Sequence, residues 1–324
     1  MRLLSTLALV LVAVAPFSQS FIVYPSSSPQ HAPISGGTMS ATSTSAVQPA
    51  GEAGAVTVPG KSQLVVRNEE EGYDLNGILT VKREDSKSVW VLCHGLCSSC
   101  EGTVPAFVSR ELSENTYRQE SVGVQFDFAG CGQSGGDWRY AGYDRELGDL
   151  RAVVLRLREL GWNVDCVLGH SKAGAAAVLR YGETFDDVPL VVNVAGRFDT
   201  SETPRSRFTE EQWDKLEKTG SFEWNVRGED LTINKSDFEE RAALNMKKTA
   251  ASITRSKVLT IHGTEDETIP VADAYEFDKV LPNNELVVVE GATHRFATEP
   301  EQVEVMKALN RYLEKAEGPS TAGR

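Results

Sequence analysis

The sequence is short of positive charge. Thirty-three Lys and Arg stand against 46 Asp and Glu, a formal net charge of −13. An acidic body repels phosphate backbones, which argues against nucleic acid as a partner and against docking on anionic lipid. Cysteine is scarce too. There are five, and an odd number makes a poor disulfide framework. Cys97 and Cys100 form one C-x-x-C, but no second pair completes a four-thiolate zinc site. They are read as ordinary loop cysteines. No internal repeat is present. The apolar run from Leu3 to Phe17 is too short and too close to Met1 for a comfortable membrane span. No stable membrane insertion of the mature chain is therefore expected.

The first sixty residues have almost no charge at all. Only Arg2 and Glu52 carry any, so the acidity lies in the rest of the chain. Residues 1–20 read as a signal peptide, with Ser18-Gln19-Ser20 as the cleavage signal. Residues 21–60 are rich in Ser, Thr, Pro, Ala and Gly and bury too little apolar surface to fold. They read as a flexible linker of a secreted enzyme or as part of a bipartite plastid presequence, and both readings stay open. A folded domain is expected over 61–316, with a disordered tail over 317–324.

From residue 61 strand-like and helical runs alternate. This predicts an α/β domain built on a mostly parallel, eight-stranded sheet with helices on both faces. Gln63–Arg67 and Leu75–Arg83 read as an opening hairpin. Val89–Cys93, Val122–Phe128, Val164–Leu168, Leu190–Val194, Val258–Ile261 and Leu286–Val289 supply the other strands. Leu147, Leu150, Val154 and Leu157 share one helix face, and Gly161 stops that helix. A closing helix is expected over Pro300–Lys315. Residues 198–256 are too long for an ordinary connection. Helices are expected there over Thr209–Lys218 and Asp237–Lys248, separated by a polar stretch. An insertion at this point would lie over the carboxyl ends of the strands, where ligands bind in such sheets, and is read as a cap.

The chemistry centres on Ser171. It follows a strand and precedes an alanine-rich helix, in Gly169-His170-Ser171-Lys172-Ala173-Gly174. A nucleophilic serine needs a sharp turn to lift its hydroxyl clear of the sheet, and small neighbours permit that turn. The bland alternative is a serine capping a helix. A hydroxyl is a poor nucleophile until a base takes its proton. Of the five histidines, His31 lies in the leader. His94 and His262 precede glycines at strand ends, and His170 is expected on the other side of the turn. His294 remains, in a loop after the last strand. The partner acid is expected to be Asp266, with Glu265 and Glu267 as solvated neighbours. Asp127 is read as ordering its own loop. The chain order Ser, Asp, His is that of the α/β-hydrolase fold. Two backbone amides must meet the oxyanion, and the candidates are Leu96, after His94-Gly95, and Lys172. His94 is expected to brace its loop.

Taken together, these motifs, with Val192–Arg197, His262–Pro270 and Gly291–Phe296, resemble a family of α/β-hydrolases of plants and bacteria labelled serine aminopeptidase-like or esterase/lipase-like. The likeness runs from about residue 62 to 315, with Ala173 where the family usually has glycine. It implies the α/β-hydrolase fold and the triad Ser171, Asp266 and His294. Relatives of this kind include esterases of hydroxycinnamic acids. The expected activity is carboxylic ester hydrolysis through an acyl-enzyme, on a small-molecule ester or lipid, with no metal or organic cofactor. An acyltransferase or lipase on the same triad, and a non-catalytic ligand-binding homologue, are the competing expectations.

Overall fold

The computed structural model describes residues 60–83, 85–114, 121–201 and 203–317. The expected signal peptide, all of the expected linker except Gly60, and residues 318–324 of the expected tail lie outside the described residues.

Ten strands are described: β1 (Gly60–Asn68), β2 (Tyr73–Val81), β3 (Ser88–Cys93), β4 (Ser121–Phe126), β5 (Asn163–His170), β6 (Leu190–Val194), β7 (Ser221–Val226), β8 (Glu229–Asn234), β9 (Lys257–Gly263) and β10 (Asn284–Val289). Eight of them form one sheet in the order β1-β2-β4-β3-β5-β6-β9-β10. β1 and β2 form an antiparallel hairpin and β2 runs antiparallel to β4, while every other pair is parallel. The opening hairpin and the eight-stranded count agree with the sequence pattern. β2 and β4 stop earlier than expected, at Val81 and Phe126. Asp127 still donates its N–H to the Asn76 carbonyl of β2 at 2.8 Å, but its side chain and the Phe128 N–H turn to the loop after β3, and the ladder ends there.

Strand alternation divides the core into two layers. On β3, Val89, Val91 and Cys93 face one side with Val124, Leu150, Val154 and Leu157. Trp90 and Leu92 face the other with Phe107, Val108, Val305 and Leu309. The first layer is covered by α2 (Tyr143–Glu159), α3 (Arg180–Thr184) and α7 (Ala272–Val280). The second is covered by α1 (Thr103–Glu114) and α8 (Glu299–Glu317). No helix of the described residues is long and apolar enough to cross a membrane.

Between β6 and β9 the chain leaves the sheet. It forms a 3-10 turn (Arg205–Arg207), α4 (Glu210–Thr219), the β7–β8 hairpin, α5 (Lys235–Ala243) and α6 (Met246–Ser252). Thr209 and Gln212 form a reciprocal cap at the start of α4. Two expectations are corrected here. The polar stretch is a hairpin, closed by Arg227 and Gly228, both at positive φ. That is the conformation a two-residue hairpin turn requires. The single helix expected over Asp237–Lys248 is two. Leu244 is extended, and the Asn245 side chain accepts the Lys248 N–H at 3.0 Å, starting a new helix. An aromatic cluster joins this segment to the sheet's loops. Phe208 and Phe222 of the insertion pack with Tyr140 from the β4–α2 loop and Leu96 from the β3–α1 loop.

Candidate active site

Ser171 sits just past the end of β5 with φ of 61°, a left-handed conformation rare outside glycine. The turn is held from below, where the Ser171 N–H donates to the Val194 carbonyl at 2.8 Å. It is possible only because its surroundings are stripped of side chains. A Cβ at Gly169 would lie 2.5 Å from the Ala173 carbonyl oxygen. A Cβ at Gly95 would lie 3.0 Å from the Ser171 Cβ and 3.2 Å from the His170 carbonyl oxygen. The β3–α1 loop therefore runs directly beside Ser171. The chain then enters a π-helical turn, Gly174–Leu179, where a regular helix was expected. Such turns recur at functional sites.

His294 lies on the loop between β10 and α8. Its Nε2 is 3.0 Å from the Ser171 Oγ and its Nδ1 is 2.8 Å from Asp266 Oδ2. The carboxylate can only accept, so the Nδ1 carries the proton and the Nε2 is free to accept from the serine hydroxyl. Asp266 receives four N–H donors. The Thr268 and Ile269 amides bond its Oδ1 at 2.8 and 2.7 Å, and His262 approaches its Oδ2 at 3.1 Å beside His294. Burial works against ionisation, but the hydrogen bonds from His262 and His294, the His294 charge and the Ile269 amide hold this carboxyl well below its usual range. Glu265 and Glu267 are exposed, and the Glu267 carboxylate accepts the His294 N–H at 3.3 Å.

The structure thus brings Ser171, His294 and Asp266 together. Leu96 and Lys172 line one cavity of about 220 Å³ together with Ser171 and His294, while Asp266 lies behind His294, out of contact with it. His94 braces the β3–α1 loop, its Nε2 accepting the Phe128 N–H at 3.1 Å and its Nδ1 donating to the Gly95 carbonyl at 2.8 Å. Asp127 ties the same loop to its own by accepting the Cys100 and Gln133 amides at 2.6 and 3.0 Å. Cys97 and Cys100 are free thiols, pushed by burial up to about 11 and about 12, so they stay protonated at neutral pH.

Four supporting groups were not anticipated. His262 fixes the buried carboxylate, with its Nε2–H also reaching the Ile269 carbonyl at 2.9 Å. His170 was expected away from the site, yet its Nε2 donates to the His294 carbonyl at 2.8 Å and the two rings stand 5.0 Å apart. Glu301 clamps the His294 loop through the Thr293 and Thr298 amides, each at 2.7 Å. The Lys172 side chain turns inward to Glu146 at 2.6 Å and to the Ala141 carbonyl. Only His170 and His262 carried a sequence signal, as histidines adjoining the site's own motifs.

Comparison with known families decides the classification. A model described as "Alpha/beta hydrolase family" matches residues 90–305, about two thirds of the chain. The chain belongs to the alpha/beta hydrolase family. No curated protein matches it. Solved structures share this alpha/beta hydrolase fold at low identity. Est1E from Butyrivibrio proteoclasticus, solved with ferulic acid bound, is 19% identical, with a TM-score of 0.64 over 77% of this chain and 97% of its own. A putative hydrolase from Agrobacterium vitis is 17% identical, with a TM-score of 0.62 over 80% of this chain and 100% of its own. Alpha/beta hydrolase domain-containing protein 10 from mouse is 16% identical, with a TM-score of 0.62 over 79% and 99%.

Proposed function

We propose that this alpha/beta hydrolase is a serine esterase that cleaves carboxylic esters through an acyl-enzyme on Ser171. The observation that carries the reading is the continuous hydrogen-bonded line from the Ser171 hydroxyl through His294 to the buried Asp266, opening on the cavity.

The Ser171 oxygen attacks the ester carbonyl carbon as its proton passes to the His294 Nε2. Negative charge collects on the carbonyl oxygen, where the backbone N–H groups of Leu96 and Lys172 receive it. Collapse of this intermediate breaks the bond to the alkoxy group, and His294 gives its proton to the leaving alcohol. Water, deprotonated by His294, then hydrolyses the acyl-enzyme and restores the serine. Asp266 keeps the imidazole in the Nδ1–H form throughout and balances its charge in each transition state. The segment between β6 and β9 acts as a cap that keeps bulk water off the ester.

Ser171→Ala is the direct test. The variant should fold as the parent does and lose hydrolysis of short 4-nitrophenyl esters, and a fluorophosphonate should label the parent at Ser171 alone. Undiminished turnover in the variant refutes the reading.

A further inference from the structure

The wall of the cavity beside Ser171 has a charge opposite to that of the protein. Arg197, on the loop after β6, Arg207, in the 3-10 turn, and Arg241, on α5, all line it. No acidic residue does. Cations nearby are matched: Lys172 with Glu146 at 2.6 Å, Arg205 with Glu210 at 2.6 Å, and Arg139 with Glu240 at 3.5 Å. Among the described residues none of the three cavity arginines lies within ion-pairing distance of a carboxylate. The one bond from the Arg197 guanidinium goes to the Thr268 carbonyl at 2.7 Å, and the one from Arg241 to the Tyr143 hydroxyl at 3.2 Å. The Arg241 Nε is buried with no partner. Burial, then the charge of Arg241 and, after the opposing effect of Asp273, that of Arg207 lower the Arg197 pKa. Arg197 therefore feels both of the other cations. Asp273 and Asp199 are the carboxylates whose fields reach them, and both are engaged elsewhere, with the Phe198 and Ser201 amides at 2.9 Å each.

Three like charges converging on one small cavity cost free energy in the empty protein, and an unpaired buried donor adds to it. A bound anion removes both costs. Guanidinium groups suit oxyanions because their N–H fork matches two acceptor oxygens at once. Trp224, Tyr140 and Tyr143 add aromatic wall to the same cavity. Resting on the esterase reading of Ser171, we propose that the substrate is an ester carrying a second, anionic group, a carboxylate or a phosphate, held by Arg197, Arg207 and Arg241 while Ser171 attacks the ester carbonyl. The neutral body of the substrate lies along the aromatic wall. Hydrolysis releases two fragments, the carboxylate formed by the reaction and the alcohol, and the second anionic group leaves on whichever of them carried it.

The test uses matched ester pairs. Mono-4-nitrophenyl adipate against 4-nitrophenyl hexanoate places the anion on the acyl side. On the alcohol side, 4-acetoxybenzoate and 4-acetoxyphenyl phosphate are each compared with 4-acetoxytoluene, which separates carboxylate from phosphate. One charge-assisted contact is worth roughly ten- to a hundredfold. In at least one pair kcat/KM should favour the anion by tenfold or more, and that ratio should fall at least tenfold in both Arg207→Gln and Arg241→Gln, with circular dichroism verifying the fold of each. The preference should also weaken as salt is raised. Ratios within threefold of one in every pair overturn the proposal while leaving Ser171 as the nucleophile. Ester turnover by Ser171→Ala overturns the reading beneath it. If no ester is turned over, calorimetric titration with adipate, 4-hydroxybenzoate and 4-hydroxyphenyl phosphate decides: arginine-dependent binding supports the anion site and absence of binding overturns it.

Discussion

Replacing Asp266 with Asn changes one atom and should cost the enzyme nearly all of its activity. The carboxylate has two oxygens and four N–H donors: two amides on Oδ1 and two imidazoles on Oδ2. An asparagine keeps one oxygen. The Thr268 and Ile269 amides belong to a fixed turn and bond at 2.8 and 2.7 Å, so they retain it. The new NH2 then faces the His294 Nδ1, which must become an acceptor. Its proton moves to the Nε2 and points at the Ser171 Oγ, 3.0 Å away, where a base is needed. An equivalent wrong tautomer in a serine protease lowers kcat by about 10⁴. That is about 5.4 kcal/mol at 1.36 kcal/mol per tenfold. Asp266 has no exposed side-chain surface, so water cannot substitute for the lost acceptor. The His262 Nε2–H keeps its bond to the Ile269 carbonyl, so the donor left unpaired is the second N–H of the new amide, at about 1–3 kcal/mol of stability. Hydrolysis of 4-nitrophenyl butyrate at neutral pH, with urea unfolding alongside, measures both effects. A folded variant whose kcat drops less than tenfold refutes the tautomer argument.

Other perturbations probe the supporting groups. Burial first, and then the His294 charge, depress His170 from 6.5 to about 4. Its folded pKa lies below its unfolded one, so its contribution to stability is full above about 6.5 and is lost as pH falls towards about 4. In His170→Gln, which can still donate to the His294 carbonyl, the acid limb of a Tm-against-pH curve should flatten across that window; an unchanged slope rejects the assignment. Lys172→Met leaves Glu146 buried without its cation and should destabilise by about 3–5 kcal/mol in urea titration, with Lys172→Met/Glu146→Leu recovering most of the loss. Burial opposes the charged amine, yet Glu146 and Tyr143 together raise its pKa, which is why the pair survives out of water. Gly95→Ala pushes a methyl to within 3.0 Å of the Ser171 Cβ. It should lower kcat/KM about a hundredfold, while Tm moves little because the loop can yield outward.

The fold was largely legible because its signals are local. Short runs of β-branched and aromatic residues such as Val89–Val91 and Val191–Val192 read as strands buried on both faces, and the alternation with amphipathic helices points to a parallel sheet. Ser171 was legible because a strained turn demands small neighbours within a few residues. His294 and Asp266 followed by elimination and chain order. What stayed hidden depends on contacts between distant segments. His170 and His294 are 124 residues apart, and nothing near His170 in sequence indicates that its ring reaches the other loop. Glu301 reads as an ordinary acidic residue in the first turn of α8. Its role appears only when Thr293 and Thr298 fold back onto it.

The insertion resisted reading for a different reason. Its elements are short and mostly exposed, so their sequences are polar and carry little periodicity. The hairpin alternates correctly, Phe222 and Ile233 inward against Glu223 and Thr232 outward, yet polar residues make up the outer face and masked the strand pattern. What organises the segment is its inner surface. Phe208, Phe222 and Ile233 anchor it to Tyr140 and Leu96, one residue from the glycine that lets the chain pass Ser171. The same anchoring carries Arg207, Arg241 and Trp224 to the cavity. In the sequence those arginines are unremarkable members of a charged stretch, since isolated basic residues are ordinarily solvated. Their meaning comes from missing neighbours: an acidic protein with carboxylates to spare leaves these three unmatched beside Ser171. Evenly mixed surface charge would have paired them as it pairs Arg205 and Arg139. Selection for stability alone favours that pairing, so the unpaired cluster points to a ligand that supplies the negative charge.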